Sequence, residues 1–257
     1  MGFIIDDVSF YHDDQKVIDH ISLTLSPGTF YGIIGPNGCG KTTLLDLLAK
    51  HRTPVSGTVF YRSKKLSAYS KKELSRHIAL VPQNYHINFP FMVEEIVMMG
   101  RYPHIPRFSP PAADDVRIVE DIMEKTGIDG LRDRLITELS GGERQRVVFA
   151  RALAQNTPVF ILDEATANMD IRYTLHLLNT VKDQVTHGHK MVIAVFQDIN
   201  LAATFCDELI CMKNGAVAAH GDSREVLTPE TIRSVFDVEA KVYFEPCTRS
   251  NQIIFKR

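Results

Sequence analysis

The chain has 257 residues, enough for one large or two small domains and for a core that needs no disulfide or metal. Hydrophobic residues make up 44% and charged residues 23%, and the formal net charge of −2 gives no basic excess for nucleic-acid binding. No apolar run approaches the 18 residues that span a bilayer, and the four cysteines lack metal-ligand spacing. We therefore expect a globular protein with free thiols that meets a membrane only as a peripheral subunit.

Segments typical of strands come first along the chain. FIIDDVSFY and ISLTLS alternate apolar and polar residues, which indicates half-buried strands and an antiparallel layer at the front of the fold. TFYGIIG is a compact apolar strand, TTLLDLLAK is helical, and GTVFY over 57–61 is a further strand. A capping box of Ser70 and Glu73 predicts a helix that begins near Ser70.

The rest of the chain alternates helical and apolar segments. We expect helices over 109–127, after Ser140, over 171–186 and after Thr228, with buried strands at PVFILD and MVIAVF. This alternation predicts an α/β fold with a mainly parallel sheet covered on both faces. We expect a single domain over 1–257, with a helical subdomain at about 85–135 and a C-terminal tail at about 222–257.

GPNGCGKTT fits the pattern G-x-x-x-x-G-K-[ST] and stands between an apolar strand and a helix, the context that the pattern requires. Glycines let successive amides point at phosphate oxygens, and the following helix directs its positive end at the same anion. Lys41 adds a positive charge for the β- and γ-phosphates of ATP, and Thr42 offers a hydroxyl to Mg²⁺. The candidate nucleotide-binding residues are Gly35, Pro36, Asn37, Gly38, Cys39, Gly40, Lys41, Thr42 and Thr43.

A second candidate site lies in VFILDEAT, where an apolar strand ends in two acids. Asp163 suits the coordination sphere of Mg²⁺, either directly or through water. Glu164 follows it, and its carboxylate either orients or deprotonates the water that attacks ATP.

LSGGERQ, from Leu139 to Gln145, precedes this strand. With the phosphate loop it resembles the signature of ABC ATPases, and the resemblance covers nearly the whole chain. It implies a P-loop NTPase core with an N-terminal antiparallel β layer and a helical subdomain. Ser140, Gly141, Gly142 and Glu143 open a helix and form a second anion site. The resemblance further implies a homodimer, in which the γ-phosphate lies between the Lys41 loop of one copy and this turn of the other.

The resemblance assigns four further residues. Gln83 matches the family's glutamine loop, Asp170 the loop after the catalytic acid, and Tyr11 the aromatic that stacks on adenine, although a Tyr11 packed inside is the alternative. Gln197 stands where the family usually has a histidine, and an amide cannot become cationic or carry a proton. We count Lys41, Gln83, Glu164 and Gln197 as catalytic candidates and Thr42, Gln83 and Asp163 as metal ligands.

SKKELSRHIALVPQ and MVEEIVMMGRYPH resemble importers of iron chelates, haem and vitamin B12, and share parts with manganese, zinc and molybdate importers. The resemblance implies that about Gln83 to Tyr102 binds an integral-membrane permease at the cytoplasmic face of the plasma membrane, with a solute-binding protein as an indirect partner. The apolar surface for this contact is supplied by Phe89, Phe91, Met92, Met98 and Met99, of which about half are expected to be core residues instead.

Three rival functions compete with this interpretation of the sequence. Gln197 favours a nucleotide-dependent switch with weak hydrolysis. An ABC ATPase that acts on DNA or ribosomes would need a long coiled coil or a second phosphate loop, and neither is present in this sequence. A small-molecule kinase would leave LSGGERQ unexplained.

Overall fold

The computed structural model describes residues 2–83, 85, 87–166 and 169–256. The chain divides into two compact units, which are described separately below. The first unit joins Met1–Tyr69 and Val185–Arg257, and the second unit is Ser70–Gln184. Asn84 and His86, which fall in the segment expected to bind a permease, lie outside the described residues. The expected single domain with a subdomain at 85–135 stays a prediction.

The first unit begins with strands, as predicted. Its N-terminal elements are β1 (Phe3–His12), β2 (Gln15–Leu25), β3 (Phe30–Ile34), α1 (Lys41–Leu48), β4 (Ser56–Tyr61) and β5 (Lys64–Lys65). Strands β2, β1, β4 and β5 form an antiparallel sheet in that order. Its buried face packs aromatic rings, for example Phe3 against Tyr61 with centroids 5.0 Å apart. The half-buried strand expected at FIIDDVSFY is confirmed, although register shifts after Ile5 interrupt its alternation of buried and exposed residues.

The second unit contains most of the helices. Its elements are α2 (Lys71–Leu74), β6 (Ile78–Val81), α3 (Val93–Met98), α4 (Ala113–Lys125), α5 (Gly141–Ala154), β7 (Val159–Asp163) and α6 (Ile171–Thr186), which ends just beyond the unit. Strands β6 and β7 are parallel. One apolar cluster joins α3, α4 and α5 through fully buried side chains such as Val97, Val119 and Val147.

One helix differs from its predicted bounds, and another begins as predicted but is short. The helix expected over 109–127 begins at Ala113, because Asp115 accepts a hydrogen bond from the Ala112 amide at 3.0 Å and so caps the helix there. The prolines before it, Pro110 and Pro111, precede the helix and belong to no regular element, so neither lies in the first turn. The helix after Ser70 has its capping box but ends after a single turn at Leu74.

The chain then returns to the first unit. Its last elements are β8 (Met191–Val195), α7 (Ile199–Phe205), β9 (Glu208–Lys213), β10 (Ala216–Asp222), α8 (Ser223–Val226), α9 (Pro229–Phe236), β11 (Ala240–Glu245) and β12 (Ser250–Phe255). Strand β3 lies between β8 and β9 and is parallel to both, while β10 adds an antiparallel edge. Because β3 is covered on both faces, all five of its residues are buried. Thr228 caps α9, as predicted.

A helix needs about 20 mostly apolar residues to cross a bilayer. Within the described ranges, no helix combines the length and apolar character that a membrane span requires.

Candidate nucleotide-binding site

The phosphate loop of the first unit runs from the end of β3 to the start of α1. Gly40 has a φ of +103°, and a Cβ at this position would lie 2.7 Å from the carbonyl oxygen of Val17. A Cβ on Gly35 would approach the Met212 carbonyl oxygen to 2.2 Å. Only glycine tolerates these approaches, so β2 and β9 pack directly against the loop backbone. The loop is therefore held in a curved shape before any ligand is considered.

Lys41 is the first residue of α1 and is only 7% exposed. Its Nζ donates hydrogen bonds to the carbonyl oxygens of Gly35 at 2.8 Å and Pro36 at 2.9 Å. These carbonyl acceptors orient the ammonium group without neutralising its positive charge. The charge therefore lies within the loop, at the amino end of α1. The ammonium charge and the helix dipole both favour a phosphate group at this place.

Cys39 stabilises the same loop. Its amide donates to the Pro36 carbonyl at 3.3 Å, and its carbonyl accepts from the Gly215 amide at 3.2 Å. Burial raises the pKa of the Cys39 thiol. Because only the thiolate form of cysteine is reactive, a raised pKa makes this thiol less reactive. We infer that the Cys39 side chain fills space in the loop.

Tyr11 also lies in the first unit, at the end of β1. It pairs with Lys16 of β2, and the next residue, Val17, contacts the loop at Gly40. The Tyr11 side chain is 37% exposed, so the alternative of an interior tyrosine is wrong. Lys16 Nζ lies 5.7 Å from the centroid of its ring. An exposed ring on a strand next to the loop suits the predicted stacking on adenine, which stays a prediction.

The acidic pair of the second unit lies where β7 ends. All residues of β7 are buried, and Asp163 is 6% exposed. Glu164 has a φ of +47°, a left-handed conformation that is unfavourable for a residue with a side chain. Gln83 Nε2 donates a hydrogen bond to Glu164 Oε2 at 2.5 Å. The structure therefore brings together two of the residues that the resemblance assigns to catalysis.

The signature turn opens α5, also in the second unit. Ser140 is the N-cap: its Oγ accepts from the Glu143 amide at 3.3 Å, and Glu143 Oε2 accepts from the Ser140 amide at 2.9 Å. Hydrogen bonds from the Ser140 hydroxyl and amide lower the pKa of Glu143. Ser140 and Gly141 are exposed, and a Cβ on Gly141 would meet no atom within 4 Å. This turn is an open helix amino end, as predicted.

Two remaining candidates are N-terminal to helices. Asp170 is exposed, and its carboxylate accepts from the Tyr173 amide at 3.1 Å at the start of α6. Gln197 is exposed between β8 and α7, in the first unit. Its neighbour Asp198 caps α7 by accepting from the amides of Asn200 and Leu201. Gln197 is therefore positioned by a buried strand on one side and a capped helix on the other.

Gln145, the last residue of LSGGERQ, is a buried residue to which no sequence motif assigns a role. Its side chain is 9% exposed, and its Nε2 donates to the Ala165 carbonyl oxygen at 3.1 Å. The sequence contained a signal for this burial. Gln145 precedes the apolar Phe149 by four residues and therefore lies on the same face of the helix.

Considered separately, the residues of each unit have the chemistry that Mg-ATP needs. Lys41 and the loop amides are donors for phosphate, and Tyr11 offers an exposed ring. The hydroxyl of Thr42 and the carboxylate of Asp163 are the hard oxygen ligands that Mg²⁺ prefers.

A buried parallel strand, a glycine loop closed by Lys-Thr and a helix define a phosphate-loop nucleoside-triphosphate-binding protein. Residues 18–167 match the family model described as ABC transporter. The chain belongs to the ABC transporter family.

Its similarities extend beyond the family model. It is 41% identical over 233 residues to "Cobalamin import ATP-binding protein BtuD" of Halobacterium salinarum, covering 91% of this chain but only 58% of that relative. It is 37% identical to "Hemin import ATP-binding protein HmuV" of Bordetella bronchiseptica, covering 94% of each. A solved ABC transporter in an inward-facing conformation has a TM-score of 0.84 at 24% identity, covering 100% of this chain and 97% of that one. The predicted P-loop NTPase fold is confirmed.

Proposed function

We propose that this chain is the ATP-binding and ATP-hydrolysing subunit of an ABC importer and that it works as a head-to-tail homodimer. The observation that carries the proposal is the exposed amino end of α5. The body of this helix is buried, yet Ser140 and Gly141 face open space. A buried helix that presents its anion site to solvent suits a ligand delivered by a second copy.

ATP binding is assigned to the phosphate loop. Lys41 and the amides at the start of α1 bind the β- and γ-phosphates, and the Tyr11 ring stacks on adenine. Thr42, Asp163 and the side-chain oxygen of Gln83 would hold Mg²⁺. When bound, this ion neutralises phosphate charge.

Hydrolysis is assigned to the end of β7. The Glu164 carboxylate, which the Gln83 amide holds in place, either accepts the proton of the attacking water or orders that water. Ser140 and the amides of Gly141 and Gly142, from the second copy, stabilise the negative charge on the γ-phosphate. Asp170 belongs to the loop that meets the second copy, and Gln197 donates a hydrogen bond to a γ-phosphate oxygen but cannot shuttle a proton.

A membrane permease is the proposed second partner, bound through about Gln83 to Tyr102. Three apolar side chains of this segment support it: Phe89 is 70% exposed, and Phe91 and Met92 are also exposed. Met98 and Met99 pack partly against the core of the second unit, so they contribute less surface. This partner would hold the chain at the cytoplasmic face of the membrane and link it to a solute-binding protein.

The transported solute is proposed from the relatives, which are named for cobalamin and hemin import. We propose an iron chelate, haem, cobalamin or a related metal-containing solute. Manganese, zinc or molybdate import is the alternative that the same motifs allow. Comparing the growth of a deletion strain on each metal source would separate these solutes.

The proposed activity is tested by measuring phosphate release from ATP with Mg²⁺ and with EDTA. Lys41→Ala should abolish nucleotide binding, and Glu164→Gln should retain binding but lose most turnover. Lys50→Ala is the matched control, because Lys50 Nζ also donates to backbone carbonyls, of Ser67 and Tyr69, but lies outside the phosphate loop. If Lys41→Ala binds ATP as tightly as the wild type, the proposal is wrong.

A further inference from the structure

Helix α5 contacts β7 and the loop after it at two points in the second unit. Phe149 packs edge to face on Phe160, with ring centroids 5.5 Å apart. Four residues earlier, and so on the same face of the helix, Gln145 Nε2 donates to the Ala165 carbonyl at 3.1 Å. The first contact holds the body of the strand, and the second holds the residue directly after Glu164.

The turn at Glu164 needs such support. Its φ of +47° is unfavourable for a glutamate, and neighbouring contacts must offset this cost. Two side-chain amides provide these contacts: Gln83 binds the Glu164 carboxylate, and Gln145 binds the adjacent backbone. Both Gln145 and Ala165 are buried, so water is a poor substitute for the second contact.

The same helix begins at the signature turn. Ser140 lies five residues before Gln145, which is about 7.5 Å along a helix axis. A shift of α5 at its amino end therefore reaches Gln145 over little more than one helical turn, through a backbone that is continuously helical.

We propose that Gln145 is a positioning residue, which ties the loop of Glu164 to α5 so that the signature turn and the catalytic acid move together. This inference rests on the proposed function. In the proposed dimer, the signature turn of one copy meets the ATP of the partner, while its Glu164 serves the ATP bound at its own phosphate loop. Gln145 thus couples the two ATP sites, so that the occupancy of one site sets the position of Glu164 at the other.

The first test compares Gln145 in α5 with Gln155, the residue that follows the helix as its C-cap. Gln145→Met keeps the side-chain length but removes the donor, and we expect kcat to fall on the order of tenfold or more, since small misplacements cost this much. The KM for ATP should stay unchanged, and the Hill coefficient should fall towards 1. Gln155→Met is the matched control, because Gln155 Nε2 donates to the Ser75 and Ile78 carbonyls at the opposite end of α5.

Gln145→His retains an N–H donor and should recover part of the lost kcat. Dimer formation with ATP should be the same as in the wild type. An unchanged kcat in Gln145→Met would overturn the inference, and so would an equal loss in Gln155→Met. A wild-type protein without ATPase activity would instead contradict the proposed function.

A second measurement does not depend on turnover. Hydrogen exchange of the peptide that contains Glu164 and Ala165 should accelerate in Gln145→Met without nucleotide, because the loop loses a tether. In Gln155→Met the same peptide should exchange as in the wild type. Equal exchange rates for this peptide in Gln145→Met and the wild type would show that the hydrogen bond does not hold the loop, and the inference would be abandoned.

Discussion

Gln197 is the residue at which this chain departs from the usual ABC pattern. It is exposed between β8 and α7, and the adjacent Asp198 caps the helix that follows it. A change at this position should therefore alter the reaction and leave the surrounding fold intact.

The prediction is that Gln197→His raises kcat for ATP hydrolysis, because an imidazole can carry a proton near neutral pH and an amide cannot. ATP affinity and dimer formation should stay as in the wild type. Gln15→His, at an exposed position of β2, is the control. The hypothesis of slowed hydrolysis fails if steady-state phosphate release from Gln197→His is no faster.

The thiols provide a second prediction at residue scale. Cys39 is buried in the phosphate loop and burial raises its pKa, whereas Cys247 is exposed. We expect Cys247 to be alkylated first, and Cys39 slowly, at a rate that rises with pH because only the thiolate reacts. Burial raises the pKa of Cys211 to about 12, which leaves it inert.

Bound ATP should slow the labelling of Cys39 further and leave Cys247 unaffected. Peptide mass spectrometry of an iodoacetamide time course, with and without ATP, measures both. Equal protection of the two cysteines would mean that ATP does not act at the loop.

At the scale of elements, a buried ion pair links the turn after α3 to α4, and a hydrogen bond from the same arginine reaches α5. Arg101, in the short 3₁₀ turn after α3, donates through Nε to Asp115 Oδ1 at 2.9 Å and through Nη1 to the Ala154 carbonyl at 2.8 Å. Asp115 lies in α4 and Ala154 ends α5. Burial alone would raise the pKa of Asp115, but hydrogen bonds from Arg101 and the Ala112 amide outweigh it and hold the pKa below its usual value.

We therefore predict that Asp115→Ala lowers the free energy of unfolding by about 3–5 kcal/mol, because it leaves a buried guanidinium without its counter-charge. The control is Asp121→Ala on the same helix, which breaks a half-exposed pair with Lys125 and should cost about 0.3–0.5 kcal/mol. Urea unfolding measures both changes. Similar costs for the two variants would contradict the structural role of the buried pair.

The contribution of the Arg101–Asp115 pair to the free energy of unfolding should depend on pH. Because the folded-state pKa of Asp115 lies below its unfolded value of about 3.9, its contribution is complete above that pH. The contribution is lost as the pH falls through the folded-state pKa. The stability difference between wild type and Asp115→Ala should therefore shrink in acid, and an unchanged difference would argue against an ionic interaction.

At the scale of the whole molecule, the proposal concerns two copies closed on ATP. Glu164→Gln should bind Mg-ATP without hydrolysing it and elute as a dimer in size-exclusion chromatography, since the nucleotide that joins the copies persists. Adding Gly141→Asp should return the protein to a monomer, because a carboxylate at the exposed helix start repels the partner's phosphate.

Nucleotide binding distinguishes this result from misfolding. The Glu164→Gln/Gly141→Asp protein should still bind ATP at its own loop, with the affinity of the single variant. If it remains dimeric with ATP, the signature turn is not part of the composite site.

The local features of this chain could be predicted because they depend on neighbours a few residues apart. The phosphate loop, the acids at the end of β7 and the caps at Ser70, Ser140 and Thr228 each need only a short run of sequence. The start of α4 was misplaced within the same range, because proline suits a first turn and extended chain alike.

Long-range contacts required the tertiary structure. Gln83 and Glu164 are separated by 81 residues, Gln145 and Ala165 by 20, and Arg101 and Asp115 by 14. The exposure of Tyr11, and the division of the apolar segment into exposed Phe89, Phe91 and Met92 and half-buried Met98 and Met99, also became known only from packing. Sequence alone determined which chemistry the chain carries, because spacing within one element encodes it. Folding alone decided which groups support each other, since that depends on side chains that meet across elements.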